Sequence, residues 1–468
     1  MKLTRKQLLA GGAAGAALGA AGIYELVDQL TESGPKHFGE GRDPEQHLLD
    51  GMHIKDHDGV EVVVPTRHHQ MVTVDVVASK SDLRDAQAAL QDVLARLDDR
   101  YPGTPDGLAI TVAWGLPYFR RHVQGAAERH LPVDRRASTR SRTKHALLDA
   151  IRFPSDPDDV LLEENDAAFL FRSDHADHIS GAATEVFDAM KGVLAPTSIR
   201  KGFAGQMDGG LGLPKEMAMA AGVPGADLIP DGSELFLGFT STQKHALGPP
   251  RIVNFETLGL VDLGPRSYFR GGTHMHLSHV FEDLEAWYLN FDFRERVDTT
   301  FRPNLDVEDG TQTVPQPPRE AATTSEIRRD YERFGAIGHS SSLQTSSRLQ
   351  SDVRGSDGTL YRKGTAIPQR ADFNTLDNPF FWSAKPEQDR MADGPAAGLH
   401  FVVFNPTSDD FHRNRLAMDG VLPDGEKLPF PPRAHGQGFN AVLLTTHRQN
   451  FLVPPRRHRS FPLSELRA

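Results

Sequence analysis

Apolar and polar positions along the chain follow two periodicities, which predict strands followed by helices. Residues 70–77 alternate in the manner of a strand, and between residues 83 and 97 apolar side chains recur every three to four positions. Residues 108–114 and 167–172 also predict strands, and a helical segment follows at 174–190. The N-terminal half is therefore predicted to combine several strands with returning helices.

The same order recurs in the C-terminal half. A strand at residues 273–281 leads into a helix at 282–289, and a strand at 398–404 leads into a helix at 408–418. Two halves of this kind predict an α+β chain with two similar lobes. A stretch rich in Pro, Gly and Asp at 369–394 predicts a long surface loop.

Composition and charge exclude several classes of protein. The 468 residues include 52 Lys and Arg against 63 Asp and Glu, a net charge of −11, and no domain-sized block is basic. We therefore expect no nucleic-acid partner. The chain has no cysteine, which excludes disulfides, thiolate metal sites and cysteine nucleophiles. Any metal ion must be held by histidine or carboxylate side chains.

The N-terminus has the layout of an export signal. The first six residues carry three basic side chains, and an uncharged run of mainly Leu, Ala and Gly follows from residue 8 to residue 24. The sequence TRKQLL at residues 4–9 resembles a twin-arginine signal whose second arginine is lysine. We expect residues 1–30 to direct the protein to the twin-arginine export machinery, and so to the periplasm, cell envelope or exterior. The alternative is a cytoplasmic amphipathic helix.

Three positions are candidates for chemistry. His339, one of 21 histidines, follows Gly338 and precedes a Ser-rich segment predicted to be a loop, where no amphipathic pattern explains an imidazole. Asp208 lies in a Gly-rich turn that can bring the backbone close to a flat ligand and place a carboxylate beside it. Arg362 ends a short apolar stretch. Taken singly, each also fits a structural role: a bystander histidine, an ordinary Asp-Gly turn and an exposed strand-end charge.

Taken in order, the motifs resemble the dye-decolorizing (DyP-type) haem peroxidase family. The resemblance covers the chain from about residue 70 to residue 455. The motifs that carry it are GQMDG at 205–209, RGGTHMHLSHVFEDLEAWY at 270–288, GH at 338–339, LYRKG at 360–364, AAGLHFVVFNPTSDDF at 396–411 and NFLVPP at 450–455.

This resemblance implies a fold and a cofactor. It implies two ferredoxin-like lobes of the dimeric α+β barrel type, at residues 31–200 and 201–468, with haem b bound in the second. It also implies a peroxidase that reduces hydrogen peroxide and oxidises an organic or dye-like substrate. Several members of the family carry twin-arginine signals, in agreement with the N-terminus. Homo-oligomerisation is left open by the sequence.

The resemblance further implies a role for each site residue. His339 would be the ligand of the haem iron, and Gly205 and Gly209 would bring the Asp-Gly turn to the cofactor. Asp208 would move a proton between the two peroxide oxygens, first as base and then as acid. Arg362 would stabilise negative charge on the departing oxygen. Because a ligating imidazole usually donates its other N–H to a carboxylate, Asp409 or Asp410 is a candidate partner of His339.

The chain departs from the family pattern after His339, where the usual Asn-Pro-Arg stretch is replaced by Ser and Thr residues. This departure favours one alternative, an exported haem-handling protein with little turnover. A second alternative is a metal-free secreted binding protein of similar build. A copper or zinc hydrolase is less favoured, because no H-E-x-x-H or comparable set of ligands is present.

Overall fold

A computed structural model describes residues 46, 53–57, 60–134, 136–204, 212–239, 267–311, 322–354, 360–377, 380–389, 391 and 393–466. The strands among them are β1 His53–His57, β2 Val60–Val64, β3 His68–Val76, β4 Ala109–Gly115, β5 Leu161–Leu162, β6 Ala167–Ser173, β7 Leu194–Phe203, β8 Thr273–Glu282, β9 Val353–Arg354, β10 Leu360–Tyr361, β11 Gln369–Arg370, β12 Phe373–Thr375, β13 Phe381–Ser383, β14 Gly398–Asn405 and β15 Leu443–Val453. The helices are α1 Leu83–Arg100, α2 Leu116–His122, α3 Gln124–His130, α4 Ala176–Ala189, α5 Leu213–Ala221, α6 Leu284–Asn290, α7 Phe293–Thr300, α8 Thr324–Phe334, α9 His339–Ser347 and α10 Ser408–Met418. None of these helices is long and apolar enough to cross a membrane.

The first lobe is a βαββαβ unit. Its four long strands pair antiparallel in the order β7, β3, β6, β4, with α1 following β3 and α4 following β6. This is the ferredoxin-like arrangement. Helix α1 packs on the sheet through the apolar positions that its sequence repeats every three to four residues, and Leu83, Leu90 and Leu97 are all buried. The strands and helices predicted for this half are confirmed.

The second lobe repeats the arrangement. Its strands pair antiparallel in the order β12, β14, β8, β15. Helices α6 to α9 follow β8, and α10 connects β14 to β15. Helix α10 begins after Thr407, whose side chain accepts a hydrogen bond from the backbone N–H of Asp410, while Asp410 accepts one from the backbone N–H of Thr407. The predicted helix at 408–418 is confirmed.

The two lobes close into one barrel. β15 pairs antiparallel with β4, and β12, a strand of three residues, pairs with β7, so the eight strands of the two lobes form a closed ring. Such closure leaves no free edge among these strands. An apolar cluster of buried side chains lies in the barrel interior and includes Met71, Ala113, Leu170, Met275, Leu277, Phe404 and Phe451. The predicted α+β fold with two ferredoxin-like lobes is therefore confirmed.

Local predictions differ from the structure in three places. The lobe boundary predicted at residue 200 falls inside β7, which belongs entirely to the first lobe. The loop predicted at 369–394 contains β11, β12 and β13, which pair with β14 and β7 through backbone groups and need no apolar periodicity. The Ser-rich segment after Gly338, predicted to be a loop, is helix α9.

Candidate functional site

Helix α9 places His339 at its first position. Gly338, just before it, approaches the backbone of Phe301 so closely that a Cβ there would lie 2.2 Å from the Phe301 carbonyl oxygen. The same carbonyl accepts a 3.0 Å hydrogen bond from the backbone N–H of Ser341. Glycine is therefore required at residue 338 for the start of the helix to rest on this segment.

The helix buries hydroxyl groups instead of apolar side chains. Ser341, Ser342 and Thr345 are buried, and each donates a hydrogen bond to the carbonyl three residues earlier, at 3.3, 3.0 and 2.8 Å. Ser346 donates to Asn414 of α10 at 2.8 Å, which ties the two helices together. Because side chains satisfied in this way can be buried without an apolar stripe, sequence periodicity could not reveal the helix.

A cavity of about 330 Å³ lies between these helices and the sheet of the second lobe. This volume lies at the lower end of the range of small-molecule sites. On the helix side it is lined by His339, Leu343 and Ser347 of α9 and by Phe411, Asn414 and Arg415 of α10. On the sheet side it is lined by Ser278, Val280 and Glu282 of β8, by Leu399, Phe401 and Val403 of β14, and by Leu443 and Thr445 of β15.

The imidazole of His339 is suited to bind a metal ion. It lies partly buried against the ring of Phe439, with 4.6 Å between ring centroids, and it lines the cavity. Its Nδ1 is inaccessible and has no hydrogen-bond partner among the described residues. Removal from bulk water, followed by the charges of Arg370 and Arg415, lowers the pKa of His339 to about 3. The side chain is therefore neutral at physiological pH, as a metal ligand must be.

Two carboxyl groups on the sheet side of the cavity have different environments. Asp372 accepts two hydrogen bonds from the Arg370 guanidinium, at 2.9 and 3.0 Å, in a fork geometry. Glu282 is 6% exposed, and its Oε2 has no hydrogen-bond partner in the part of the chain that the structure describes. Burial, and secondarily the charge of Asp372, raises the pKa of Glu282 to about 8.

The other cavity-lining arginines are held by partners outside the cavity. Arg415 pairs with Asp419 at 2.8 Å, and Arg448 donates to Asp156 at 2.6 Å. Arg348 donates to the Gly364 carbonyl at 2.8 Å. With Arg370, these side chains place four guanidinium groups in the wall of a largely apolar cavity, and guanidinium groups are well suited to bind anionic ligands.

Of the two predicted site residues that the structure describes, one lies in the cavity wall. His339 lines the cavity, whereas Arg362 is 72% exposed, pairs with Asp352 at 2.7 Å and is not among the lining residues. Asp208, Gly205 and Gly209 lie outside the described residues. The roles predicted for these four residues stay predictions.

Neither acid predicted to support His339 reaches it. Asp409 pairs with Lys144 and Arg413, and Asp410 pairs with Arg136 and Arg413. They are held in the network where the start of α10 meets the first lobe.

Sequence reasoning missed Glu282 and Arg370. Glu282 was assigned to the start of a helix, although it is the last residue of β8 and α6 begins two residues later, at Leu284. The strand period could have revealed it, because Glu282 shares a face with Ser278 and Val280. Arg370 lies in β11, a strand too short to have a detectable pattern.

The residues of the cavity fit a haem group. Among the described residues, no three or more His, Asp or Glu side chains are arranged to hold a bare metal ion. A haem iron, by contrast, needs a single axial ligand from the protein, and His339 offers a neutral imidazole in a largely apolar cavity. The arginines that line this cavity would accommodate the negative charge of the haem carboxylates.

The barrel has the DyP-type ferredoxin-like α+β fold. The crystal structure of a DyP-type peroxidase from Cellulomonas bogoriensis aligns with 88% of this chain and 96% of its own, at 15% identity and a TM-score of 0.50. A variant of DypB from Rhodococcus jostii RHA1 in complex with heme aligns with 85% of this chain and 96% of its own, at 12% identity and a TM-score of 0.47. A dye-decolorizing peroxidase from Bacteroides thetaiotaomicron aligns with 88% and 98%, at 10% identity and a TM-score of 0.48.

At the level of sequence, the model of a protein family matches residues 66–455, and its description is "Family of unknown function (DUF7405)". The chain belongs to this family. No curated protein matches its sequence.

Proposed function

We propose that this chain is a haem-dependent peroxidase that reduces hydrogen peroxide and oxidises an organic substrate. The observation that carries the proposal is the His339 imidazole, which is neutral and is set in the wall of the cavity. The DyP-type fold supports it, because the cavity lies in the second lobe, where the sequence resemblance expects haem.

The roles of the residues follow from their chemistry. Bound haem would supply the redox-active iron that peroxide reduction needs. His339 would hold that iron through its neutral imidazole, and the permanently charged guanidinium of Arg370, oriented by its pair with Asp372, would favour an anionic ligand in the cavity. We assign to Asp208 the removal of a proton from one peroxide oxygen. Arg362 would stabilise negative charge on the other oxygen, which requires its guanidinium to leave the surface pair with Asp352.

We also propose that the protein is exported in folded form by the twin-arginine route. The basic N-terminus and the weakly hydrophobic run that follows it support this localisation. Because a twin-arginine substrate crosses the membrane already folded, the protein would take up its cofactor before export. Fusion of residues 1–30 to a reporter that is active only after folded export tests the route, and replacement of Arg5 and Lys6 is expected to stop it.

A haem-handling protein with little turnover is the second candidate function. One observation favours it: Nδ1 of His339 has no carboxylate or carbonyl partner among the described residues. Such a partner normally raises the basicity of the ligating imidazole, and a peroxidase benefits from that basicity. The two functions differ in one result, the response of the haem-loaded protein to peroxide.

The test begins with the absorption spectrum of the protein expressed with haem supplied, before and after addition of hydrogen peroxide. A Soret band that changes on addition of peroxide supports a peroxidase, and an inert Soret band supports haem handling. His339→Ala is expected to lose stoichiometric haem, because no other described histidine lines the cavity. His145→Ala, at an exposed position, is the matched control and should retain it.

A third variant separates loss of the ligand from loss of the fold. His339→Gly removes the imidazole and leaves space for a free imidazole molecule in its place. Added imidazole should therefore restore the Soret band if His339 is the ligand. A normal band in His339→Ala without added imidazole would remove His339 from that role.

A further inference from the structure

Glu282 stands out among the charged groups that line the cavity. The acids and bases around it have partners: Asp372 accepts the fork of Arg370, and Arg415 and Arg448 pair with carboxylates behind the cavity wall. Glu282 has no such contact at Oε2 in the described part of the chain, although its side chain is more than nine-tenths buried. A buried polar group left without a partner costs free energy unless a ligand supplies the partner.

The fold fixes the position of this carboxyl group. Glu282 is the last residue of β8; it is opposite Leu443 of β15 in the strand register, and its backbone N–H donates to the Ala397 carbonyl at 3.0 Å. Its side chain points to the same side of the strand as Ser278 and Val280, which both line the cavity. A flat ligand held between the helices and the sheet would therefore have His339 on one side and Glu282 on the other.

The surroundings of Glu282 favour its neutral form. Burial raises the pKa of the carboxyl group to about 8, and the negative charge of Asp372 acts in the same direction. The nearby charged group in the β11–β12 segment is Asp372, an acid that is paired with Arg370. From α6, the phenol of Tyr288 lies near enough to interact with its charge. At neutral pH Glu282 is consequently an O–H donor, in contrast to the paired Asp372.

We propose that Glu282 is the general acid of the cavity, which donates its proton to the departing oxygen of hydrogen peroxide. The inference rests on the proposed peroxidase function. The O–O bond breaks, the departing oxygen keeps its own hydrogen and the electron pair of that bond, gains the proton of Glu282, and leaves as water. Overall, H2O2 + 2 H⁺ + 2 e⁻ → 2 H2O: the reducing organic substrate supplies the electrons, and solvent re-protonates Glu282. Asp208, as base, and Glu282, as acid, would then divide the proton transfers.

The first experiment measures the proton itself, in the full chain without haem. Infrared difference spectra between wild type and Glu282→Gln should contain the carbonyl stretch of a protonated carboxyl group, present only in the wild type at neutral pH. Glu285→Gln is the matched control, because Glu285 is an exposed acid of the same type three residues later, on α6. Spectra of wild type and Glu282→Gln that do not differ in this band would overturn the proposal, since an ionised Glu282 has no proton to give.

The second experiment measures the rate of reaction of the haem-loaded protein with hydrogen peroxide. Glu282→Gln is expected to bind haem with unchanged stoichiometry and to react about 10²-fold more slowly or slower still, the usual contribution of a general acid. Glu282→Asp, which keeps an acid at a shorter reach, should recover part of the rate, and Glu285→Gln should equal the wild type. A Glu282→Gln variant that reacts at the wild-type rate would overturn the proposal and leave the peroxidase function standing.

If the proposed peroxidase function itself is wrong, the two experiments give a different combination of results. If haem-loaded wild type is inert to peroxide, the proposed peroxidase is wrong, and the infrared band alone decides whether Glu282 holds a proton. Presence of the band would then support Glu282 as a hydrogen-bond donor to the cavity ligand, and its absence would remove that role as well.

Discussion

Replacing Glu282 by glutamine should change the pH dependence of folding stability. In the folded protein, burial and then the charge of Asp372 raise the pKa of this carboxyl group from 4.5 to about 8. In the unfolded chain the group is surrounded by water and keeps its ordinary pKa. Across the interval between these values, the folded protein holds a proton that the unfolded chain has released.

The sign and size of the effect follow from this difference. Because the folded state binds more protons than the unfolded state between about pH 4.5 and pH 8, the free energy of unfolding falls as the pH rises through that window. One proton gives a slope of about 1.4 kcal/mol per pH unit, and the whole window gives an upper limit of roughly 5 kcal/mol. Below this pH window the wild type keeps the full contribution of the Glu282 proton to its stability, and above the window it has lost that contribution completely. Glutamine does not ionise, so the variant lacks the effect throughout.

The assay is urea unfolding of haem-free wild type and Glu282→Gln at several pH values across the window, at constant ionic strength. Haem is left out so that ligand binding does not contribute to the measured stability. The stability of the variant relative to the wild type should grow by several kcal/mol between about pH 5 and about pH 8. The amide of glutamine adds a constant offset, and the other titrating groups cancel in the comparison. A difference that stays constant across the window, as expected for Glu285→Gln, would refute the reasoning.

Three further predictions concern Gly338, Asp208 and Arg362. Gly338→Ala should weaken haem binding and destabilise the protein by about 1–3 kcal/mol, because the added Cβ meets the Phe301 backbone at the start of α9. Gly181→Ala, on the open face of α4, is the control and should be neutral or stabilising in the same denaturation assay. Equal behaviour of the two variants would contradict the close contact at Gly338. Asp208→Asn and Arg362→Ala should each keep haem and slow peroxide reduction in rapid-mixing experiments if the predicted roles hold. An unchanged rate in Arg362→Ala would limit that residue to its surface pair with Asp352.

Much of the fold could be predicted because its long elements repeat apolar positions strongly. The apolar residues spaced three to four apart in α1 are all buried: Leu83, Ala86, Leu90, Val93, Leu94 and Leu97. The five long strands that the pattern predicts, β3, β4, β6, β8 and β14, start and end within one or two residues of their predicted limits, whereas β7 and β15 were not predicted. The alternation of side chains along β8 is also regular: His276 stacks on Phe411, whereas His279, on the opposite face of the strand, lies beside His400.

The candidate site was predictable only in part. His339 was identified from its motif, but α9 was not, because its buried residues are hydroxyl-bearing and satisfy one another within the helix. The guanidinium of Arg370 donates to the carboxylate of Asp372, two residues further along a segment that has no apolar periodicity, so no sequence pattern indicates the pair. The raised pKa of Glu282 depends on burial and on Asp372, which is distant in sequence, so a local pattern could not predict it.

The position of β15 has a consequence for biosynthesis. This strand is the last of the barrel to be synthesised, and it lies between β8 and β4, so it joins the two lobes. It also contributes Leu443 and Thr445 to the cavity. While the ribosome is still translating the preceding residues, β8 and β4 each present an unpaired edge to other nascent chains, and the cavity wall is incomplete. Capture of the proposed haem would therefore follow the synthesis of β15, and a chain truncated before Leu443 should aggregate instead of yielding a smaller folded protein.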